Sequence, residues 1–401
     1  MKLSARVLRV KESPTFVVMG KAAQMKKNGL DVIVLAAGEP DFDTPQDIKD
    51  AAIDAINKGK TRYTAASGTL ELRQAIVNKF SRENNLTFQT DEIIVSAGGK
   101  HSLYNVFQAI INDGDEVIIP APYWVSYPDM VLLANGTPVF VNSYITDNFK
   151  MSAKKLQQAI TPKTRAVILN SPNNPTGMAY SVHELRELAE VLIQHPNICI
   201  ITDDLYEHLS FSNDKFVNIA NIMPELLSRT IVINGVSKAY SMTGWRIGYA
   251  ACTDKSVIKA MDIIQSQSTS NPCSIAQYAA EAALNGGLTC VEPMRQSFIK
   301  RHEFAVSRIN DINGLSCIKA QGAFYVFISC IDAIEILFKQ NKINEKNDIA
   351  FSDYVLENCL VAVVPGSAFG LEHHVRISFA TSIEELTKAF DRIEKLLGKK
   401  V

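Results

Sequence analysis

The sequence lacks the features that mark several classes of protein. Its 41 lysine and arginine residues are balanced by 42 aspartate and glutamate residues, so the net charge of −1 offers no field to attract nucleic acid or an anionic membrane. No uninterrupted apolar run reaches the roughly 18 residues that a membrane span requires. Residues 1–15 contain several basic side chains but no apolar stretch typical of a secretory signal. We therefore expect a cytoplasmic protein with neither nucleic acid nor membrane as a partner.

The seven cysteines lack the even number and the close spacing of a disulfide framework. They are widely scattered, and no two of them form a C-x-x-C pair. We interpret them as small, buried hydrophobic side chains in a reducing compartment. The sequence gives no reason to predict a metal site.

What the sequence does contain is an alternation of β-rich runs with amphipathic helical patterns between residues 90 and 251. Several runs are continuous in Val and Ile, which suits strands buried on both faces of a mostly parallel sheet. Helical patterns cover 100–111 and 182–194, and the second opens with Ser181 and Glu184 at the spacing of a capping box. We predict an α/β fold, with helices flanking the sheet and ligands beyond the carboxyl ends of its strands. The predicted strands are 92–96, 116–120, 137–141, 166–169, 198–202, 230–234 and 247–251.

The pattern changes after about residue 290. A long polar helical stretch, 291–310, leads to short strands near 324–329 and 374–379, and Ser382 caps a final helix. Because 401 residues exceed a typical single core, we expect two domains. The predicted division is a large domain of residues 46–290 and a smaller α+β domain formed by residues 1–45 and 291–401.

The most informative segment is S-K-A-Y-S-M-T-G-W-R at 237–246. It follows a buried-type strand, so we expect Lys238 at the ligand-binding edge of the sheet. A lysine there forms an imine with an aldehyde if the site lowers its pKa enough to make it nucleophilic. Arg246, eight residues later, is placed to return to the same edge and hold a phosphate. A surface loop with ordinary basic residues is the alternative interpretation.

A carboxylate follows the neighbouring buried strand at Asp203. Burying it costs several kcal/mol unless a cation pairs with it. A protonated pyridine nitrogen is such a cation, and the pairing keeps the ring an effective electron sink. Tyr206 is then placed to donate to the phenolic oxygen of the same ring. The alternative is that Asp203 caps a helix and Tyr206 only packs.

Three further turns carry weaker signals. The N-S-P-N-N-P-T-G turn at 170–177 is rigid and suited to directing Asn174 at a ligand oxygen, although turn formation alone explains it. Gly98 and Gly99 allow close approach to a helix start that favours phosphate, but many such turns contain glycines. Trp124 is placed to stack on an aromatic ring, although a lone tryptophan is more often a core residue.

Together these motifs resemble the class-I aminotransferases of the fold-type-I pyridoxal-phosphate superfamily, and most closely the bacterial aspartate aminotransferases called subgroup Ib. The resemblance runs from G-E-P-D-F at 38–42 to V-R-I-S at 375–378, which is nearly the whole chain. It implies pyridoxal 5'-phosphate as the cofactor. It also implies a homodimer that transfers amino groups between amino acids and 2-oxo acids.

The resemblance assigns roles to individual residues. Lys238 is expected to hold the cofactor covalently and to shuttle the Cα proton, while Asp203 and Tyr206 complete the catalytic set. Arg376 is expected to grip the substrate α-carboxylate with help from the Gly38 backbone, and an arginine on a Val-x-Ile-x-Phe strand would be costly without such a partner. The other expected cofactor contacts are Asn174, Trp124, Gly99, Lys100, Ser237, Arg246 and, reaching the phosphate of the neighbouring subunit, Tyr63. Trp124 and Asn174 are expected to contact the substrate as well.

The side-chain pocket departs from the animal-type enzymes, which hold the distal carboxylate with an arginine of the partner subunit. No arginine lies between Arg246 and Arg295 to take that role. In the bacterial branch a lysine at the position of Lys100 takes over, and Ser13 and Thr15 match small polar residues of the same pocket. We therefore expect aspartate, glutamate and their keto acids as substrates. The alternative is that Lys100 touches only phosphate or solvent.

Other functions remain open at this stage. Glutamate– or aspartate–prephenate aminotransferase activity is known within the same branch. A pyridoxal-phosphate lyase that cleaves C–S bonds would share Lys238, Asp203 and Tyr206 but would not need an anion contact at Lys100. A non-catalytic effector domain is less consistent, because no basic helical pair precedes Gly38 and the lysine with its partners is complete.

Overall fold

A computed structural model describes residues 1–212 and 215–400 of the chain as alternating strands and helices. The strands are β1 (Ile33–Val34), β2 (Ile93–Ser96), β3 (Glu116–Ala121), β4 (Thr137–Asn142), β5 (Thr164–Asn170), β6 (Cys199–Asp203), β7 (Thr230–Gly235), β8 (Gly248–Ala251), β9 (Tyr325–Ser329), β10 (Val361–Ala362), β11 (Val364–Pro365) and β12 (His374–Ser378). The helices are α1 (Pro14–Lys27), α2 (Gln46–Asn57), α3 (Leu70–Lys79), α4 (Gly99–Ile110), α5 (Ser126–Leu133), α6 (Ala153–Ala159), α7 (Val182–Ile193), α8 (Ile219–Ile222), α9 (Lys255–Ser268), α10 (Ser274–Gly286), α11 (Val291–Asp311), α12 (Ile331–Lys339), α13 (Asp348–Cys359) and α14 (Ile383–Leu397).

The central sheet has seven strands in the order β2-β8-β7-β6-β5-β3-β4. Strands β3 to β7 run parallel to one another, and β8 runs antiparallel to both of its neighbours. The seven strands predicted for this region are all present, with ends that differ by at most two residues. The predicted α/β fold with a mostly parallel sheet is therefore confirmed.

Helices cover both faces of this sheet because alternate residues of each strand point to opposite sides. On one face Ile201 and Ile231 pack in a core with helices α4, α5 and α9. On the other face Val167 and Ile200 pack with α6 and α7. The capping box that begins α7 forms as predicted, since Ser181 accepts the N–H of Glu184 and the Glu184 carboxylate accepts the N–H of Ser181.

Two smaller sheets lie outside the central one. Strands β11, β12 and β9 form an antiparallel sheet against which α11 packs, and the predicted cap of α14 by Ser382 is present. Strand β1 pairs in parallel with β10, which joins the amino-terminal segment to the carboxyl-terminal part of the chain. This pairing supports our proposal that residues 1–45 and 291–401 form one domain and residues 46–290 the other.

The expected burial of the cysteines is only partly right. All seven are free thiols, and four of them are buried. Cys199 is half-buried, and Cys273 and Cys290 are exposed, because they lie at the starts of α10 and α11 rather than on the inner faces of those helices. Within residues 1–212 and 215–400, no helix combines the length and the apolar character that crossing a membrane requires.

Candidate active site

A cleft of about 610 Å³ opens where β5, β6 and β7 end. The sequence-predicted residues that line it are Ser13, Thr15, Gly38, Gly99, Lys100, Trp124, Asn174, Asp203, Tyr206, Ser237, Lys238, Arg246 and Arg376. Tyr63 does not line this cleft, and its side chain is 91% exposed. Segments far apart in the sequence therefore meet at the sheet edge where an α/β fold binds its ligands.

Lys238 lies three residues beyond β7, in a tight turn, with its amine directed into the cleft. The amine donates a hydrogen bond of 2.5 Å to the carbonyl oxygen of Gly38. Burial lowers the pKa of Lys238 to about 8, because the charged form loses its hydration. About a tenth of the amine is therefore neutral and nucleophilic near neutral pH, far more than for a lysine of ordinary pKa in a surface loop.

Asp203 is the last residue of β6, and its carboxylate is buried at the floor of the cleft. The hydroxyl of Tyr127 donates to its Oδ2 at 2.6 Å, and the N–H of Leu205 donates to its Oδ1 at 3.4 Å. Burial raises the pKa of Asp203 to about 6, and the Tyr127 hydrogen bond limits the rise. Asp203 does not cap a helix, because the next helical turn, Glu207–Leu209, has Tyr206 at its N-cap position.

The hydroxyl of Tyr206 is hydrogen-bonded to the hydroxyl of Tyr325 at 3.0 Å. Burial first, and then Tyr325, raise the pKa of Tyr206 well above its ordinary value. The phenol therefore keeps its proton at neutral pH. A neutral phenol in this position is suited to donate a hydrogen bond to an anionic oxygen in the cleft.

Arg376 projects from the middle of β12 and is 2% exposed. Its guanidinium donates to Asn174 Oδ1 at 2.9 Å and to the carbonyl oxygen of Ala36 at 2.8 Å. It also lies 4.4 Å from the centre of the Tyr325 ring. Its Nε is buried without a hydrogen-bond partner, and no carboxylate of the described residues pairs with it. A buried cation in this state favours an anionic ligand such as a carboxylate.

A second part of the cleft, at Gly98 and Arg246, also has features suited to an anion. Gly98 has a φ of +93°, and a Cβ added to it would lie 2.4 Å from Arg246 Nη2. The Arg246 guanidinium donates to the carbonyl oxygens of Thr243, at 2.9 Å, and Ala97, at 3.4 Å. It therefore packs directly on the glycine turn that begins α4. Free N–H groups of a helix start next to a guanidinium make a site suited to phosphate.

Lys100 lies between aromatic rings of two segments. Its ammonium is 5.0 Å from the Trp124 ring centre and 5.9 Å from that of Phe16, which belongs to α1. Partial burial, and then the charge of Arg246, lower the pKa of Lys100. None of the ion pairs found among the described residues includes Lys100, so its charge is available to a ligand.

Several lining residues were not among the predicted site residues, and three of them have aromatic side chains: Tyr127, Tyr325 and Phe16. Tyr127 follows Trp124 by three residues, so the two share one face of a helical turn, and this spacing was the only available signal. Tyr325 lies within a predicted strand, where its pattern is that of a core aromatic residue. Phe16 lies in an amino-terminal segment whose sequence gives no indication of where it packs.

Comparison with known proteins agrees with this geometry. Residues 30–393 match the family described as aminotransferase class I and II. The aspartate/prephenate aminotransferase of Nitrosomonas europaea is 55% identical over 398 residues, covering 99% of this chain and 100% of that protein. The aspartate aminotransferase of Geobacillus stearothermophilus is 48% identical over 397 residues, 99% of both chains.

Solved structures give the same result. The aspartate aminotransferase of Rhizobium meliloti superimposes with a TM-score of 0.92 at 46% identity, over 98% of both chains. The aspartate aminotransferase of Thermus thermophilus with maleate gives a TM-score of 0.92 at 41% identity, over 99% of this chain and 100% of that one. The resemblance drawn from the sequence motifs is thereby confirmed, and the chain belongs to the aminotransferase class I and II family.

Proposed function

We propose that the chain is a pyridoxal-phosphate-dependent aspartate aminotransferase, which converts L-aspartate and 2-oxoglutarate to oxaloacetate and L-glutamate by a ping-pong transamination. One observation carries the proposal: a lysine of lowered pKa, a buried carboxylate and a buried guanidinium face the same cleft. These groups match what an amino-group transfer needs, namely a carbonyl-capturing amine, a partner for a cationic ring and a clamp for an α-carboxylate.

The residues of the cleft fit pyridoxal phosphate. The buried Asp203 carboxylate has two hydrogen-bond donors but no bonded cation among residues 1–212 and 215–400, and a protonated ring nitrogen would supply that charge. Arg246 and the glycine turn at Gly98 fit the phosphate, with Ser237 lining the same cleft. When bound, pyridoxal phosphate supplies an aldehyde that captures amino groups and a protonated ring that takes up electron density from the substrate Cα.

Lys238 would hold the aldehyde carbon until an amino acid replaces it. Once displaced, its amine can accept the proton of the substrate Cα, because burial lowers the pKa of this lysine. A positioned base of this kind typically contributes about 10² to 10⁴-fold in rate. Tyr206 and Asn174 would hold the ring's phenolic oxygen by donating hydrogen bonds. The carbonyl of Asn174 already accepts from Arg376, which leaves its amide nitrogen as the donor.

Two cations would orient the substrate. Arg376 would bind the α-carboxylate through two parallel hydrogen bonds, near the Gly38 backbone. Lys100, with Ser13 and Thr15 in the same cleft, would bind the distal carboxylate of aspartate or glutamate. A lysine serves here because a point charge accepts a carboxylate without a fixed planar geometry. Maleate, which accompanies the T. thermophilus structure, is likewise a dicarboxylate.

The test is a substrate panel with the wild type and Lys100→Ala. We expect oxaloacetate from aspartate and 2-oxoglutarate in the wild type, and a fall of about 10 to 100-fold in kcat/KM for Lys100→Ala, the usual cost of losing a charged hydrogen bond. The kcat/KM for an amino donor without a distal carboxylate, such as alanine, should fall much less. Lys154→Ala, an exposed lysine of α6 outside the cleft, serves as the matched control. Unchanged aspartate turnover in Lys100→Ala would refute the proposed acidic pocket.

Prephenate is a second candidate acceptor. The observation that favours it is the relative from N. europaea, which is named aspartate/prephenate aminotransferase and is 55% identical to this chain. Prephenate carries two carboxylates, for which Arg376 and Lys100 offer the same two cations. The panel should therefore include prephenate with aspartate or glutamate as donor. A kcat/KM for prephenate above that for 2-oxoglutarate would make it the preferred acceptor.

Elimination chemistry is distinguished by its products. A C–S lyase would use Lys238, Asp203 and Tyr206 in the same way but would release ammonia and pyruvate from a cysteine conjugate. We expect no such release above the rate of a Lys238→Ala control, because the two cations of the cleft retain a dicarboxylate for transfer.

We further propose that the enzyme is a cytoplasmic homodimer in which Tyr63 reaches the phosphate side of the partner's cleft. The exposed phenol of Tyr63, together with its absence from the cleft of its own chain, supports this arrangement. The free state of all seven cysteines is consistent with a reducing compartment. Sedimentation of the wild type should give a dimer, and Tyr63→Phe should weaken the retention of the cofactor without changing the mass of the assembly.

A further inference from the structure

A second polar cluster lies behind the cleft, among residues that the proposed transfer reaction does not use. It consists of Lys79, Asn84, Glu207 and Asn234, and we refer to these four side chains as the buried cluster. Their exposed fractions are 0%, 5%, 5% and 1%, so water does not solvate them. A charged lysine and a charged glutamate at this depth are costly unless each is fully paired.

The carboxylate of Glu207 is the centre of the buried cluster. The Lys79 ammonium forms an ion pair with its Oε1, and Asn234 Nδ2 donates to the same oxygen at 2.6 Å. Asn84 Nδ2 donates to Oε2, while Asn84 Oδ1 accepts from the Lys79 ammonium at 2.6 Å. Burial alone would raise the pKa of Glu207, but the charge of Lys79 and then that of His208 lower it to about 2.

A metal does not explain this arrangement. Ligand atoms of Glu83, Glu207 and His208 lie within 4.8 Å of one another, which is a spacing that a cation site would need. However, the Lys79 ammonium already pairs with Glu207 and lies 3.8 Å from Glu83 Oε2. The position of a cation is therefore occupied by a side chain, and a divalent ion there would be repelled by it.

The buried cluster lies close in sequence to two residues of the cleft, Tyr206 and Lys238, and this location indicates its role. Glu207 directly follows Tyr206, and Asn234 is the next-to-last residue of β7, four residues before Lys238. Lys79 is the last residue of helix α3 and therefore belongs to a third segment of the chain. A backbone hydrogen bond of 2.9 Å from Asp204 to Ile233 joins the same two strand ends. The buried cluster therefore links the helical turn after β6 to the end of β7 and links this turn to the end of α3.

We propose that the buried hydrogen bond from Asn234 to the Glu207 side chain positions Tyr206 and Lys238 for catalysis, so that Glu207 and Asn234 are positioning residues for the transfer reaction. The inference rests on the proposed function, since it takes Lys238 as the residue that carries the cofactor. Stability alone is a weak reason to bury these polar groups, because even a buried ion pair such as that of Lys79 and Glu207 can often be replaced by apolar side chains without loss. A fixed geometry is a stronger reason, because a shift of about 1 Å at the reacting groups can cost about 10²-fold in rate.

Two double variants separate positioning from stability. Lys79→Met with Glu207→Gln removes both charges but keeps an amide oxygen that can accept from Asn234, and Asn84 can turn its own oxygen to the new amide nitrogen. Lys79→Met with Glu207→Leu also removes both charges but leaves Asn234 without an acceptor. Neither variant leaves an unpaired buried charge, which Lys79→Met alone would do. The measurements are the melting temperature, kcat and KM, and the pH midpoint of the absorbance change of the cofactor bound to Lys238.

We expect both double variants to fold, with a lower melting temperature for the Leu variant, because its buried Asn234 donor is left without an acceptor. The Leu variant should lose about 10 to 100-fold in kcat at nearly unchanged KM, since Arg376 and Lys100 are untouched, and its pH midpoint should move away from that of the wild type. The Gln variant should keep the wild-type midpoint and most of kcat. A Leu variant with the kcat and the pH midpoint of the Gln variant would overturn the inference, whatever its melting temperature.

Two further measurements keep the result interpretable. If the Leu variant does not fold, Asn234→Ala removes the same link in the wild-type background, and a wild-type kcat and midpoint in that variant would equally overturn the inference. A wild type that shows no absorbance band for a lysine-bound cofactor would refute the proposed function itself. A wild type with that band and an unchanged Leu variant would refute only the positioning role.

Discussion

Tyr127 donates a hydrogen bond of 2.6 Å to Oδ2 of Asp203, and both side chains are buried. Burial raises the pKa of Asp203 to about 6, whereas this hydrogen bond favours the charged carboxylate. Tyr127 therefore helps to keep Asp203 ionised at the place where a cationic ring nitrogen would bind. The ring of Tyr127 also contacts Trp124 edge to face, at 5.3 Å between ring centres.

Tyr127→Phe should consequently lower kcat by about 10 to 100-fold, because a hydrogen bond to a charged group contributes about 1.5–3 kcal/mol. Without the hydroxyl, the pKa of Asp203 rises further, so more of the carboxylate is protonated at neutral pH. The acid limb of the pH–rate profile should therefore move to higher pH. Steady-state kinetics across a pH series measures both effects.

Tyr180→Phe is the matched control for this prediction. It also removes a tyrosine hydroxyl, on a half-buried residue that accepts the N–H of Met151 at 3.1 Å and does not line the cleft. We expect its pH–rate profile to be that of the wild type. Equal profiles for Tyr127→Phe and Tyr180→Phe would show that the hydrogen bond to Asp203 has no role in catalysis.

The lowered pKa of Lys238 predicts how the apoprotein takes up its cofactor. Only the neutral amine attacks an aldehyde, so the rate of covalent capture should rise about tenfold per pH unit and level off above a pKa of about 8.

The lowered pKa of Lys238 also has a consequence for the stability of the folded apoprotein. Because the unfolded lysine binds its proton up to a higher pH, this lysine's contribution to folding grows as pH rises from about 8 to 10.5 and is lost as pH falls through 8.

Stopped-flow absorbance between pH 6 and pH 10 measures the capture rate, with those limits chosen to bracket the pKa by about two units. Lys238→Ala provides the baseline without specific capture. A rate that continues to rise up to the ordinary pKa of a lysine would mean that the amine is not desolvated.

Substitution of the two cations of the cleft, Arg376 and Lys100, should affect different sets of substrates. Arg376→Lys should lower kcat/KM by about 10 to 100-fold for every amino donor, because a lysine cannot form the two parallel hydrogen bonds to an α-carboxylate. Lys100→Ala should affect only donors with a distal carboxylate. Comparing aspartate with alanine in both variants measures the difference. An Arg376→Lys variant that impairs only aspartate would reverse the assignment of the two cations.

The glycine turn at Gly98 gives a test of the phosphate site. Gly98→Ala places a Cβ 2.4 Å from the Arg246 guanidinium, at a φ of +93°. We expect the affinity for pyridoxal phosphate to fall about tenfold or more, because an arginine–phosphate contact contributes about 1.5–3 kcal/mol. Equilibrium dialysis or fluorescence titration of the apoprotein measures the affinity.

Gly114→Ala is the matched control, since Gly114 also has a positive φ, of +88°, but nothing lies within 4 Å of an added Cβ. Both substitutions place an alanine at a positive φ, and only one displaces Arg246. Equal affinity for pyridoxal phosphate in the two variants would contradict the assignment of Gly98 and Arg246 to a phosphate site.

The sequence predicted those parts of the site that follow directly from buried strands. Lys238 and Asp203 each follow or end a run of Val and Ile, and such runs identify parallel strands and hence the edge where a ligand binds. Arg376 was predictable because a charge in an apolar strand requires a partner. These signals are local, so a single sequence contains them.

The remaining features depend on contacts between distant segments. The buried pair of Lys79 and Glu207 joins residues 128 positions apart, and each alone reads as an ordinary helix or turn residue. Tyr325 contacts Arg376 only because β9, which carries Tyr325, lies beside β12, which carries Arg376. Such pairings are set by the packing of whole elements, for which the hydrophobic pattern gives no register.

The central claim is that Lys238 carries pyridoxal phosphate, and the most direct measurement is reduction of the loaded protein with borohydride, followed by digestion and mass spectrometry. The account predicts one pyridoxyl group, on the peptide that contains Lys238. A digest without any tagged peptide, or a tag on another amine such as that of Lys100, would contradict it.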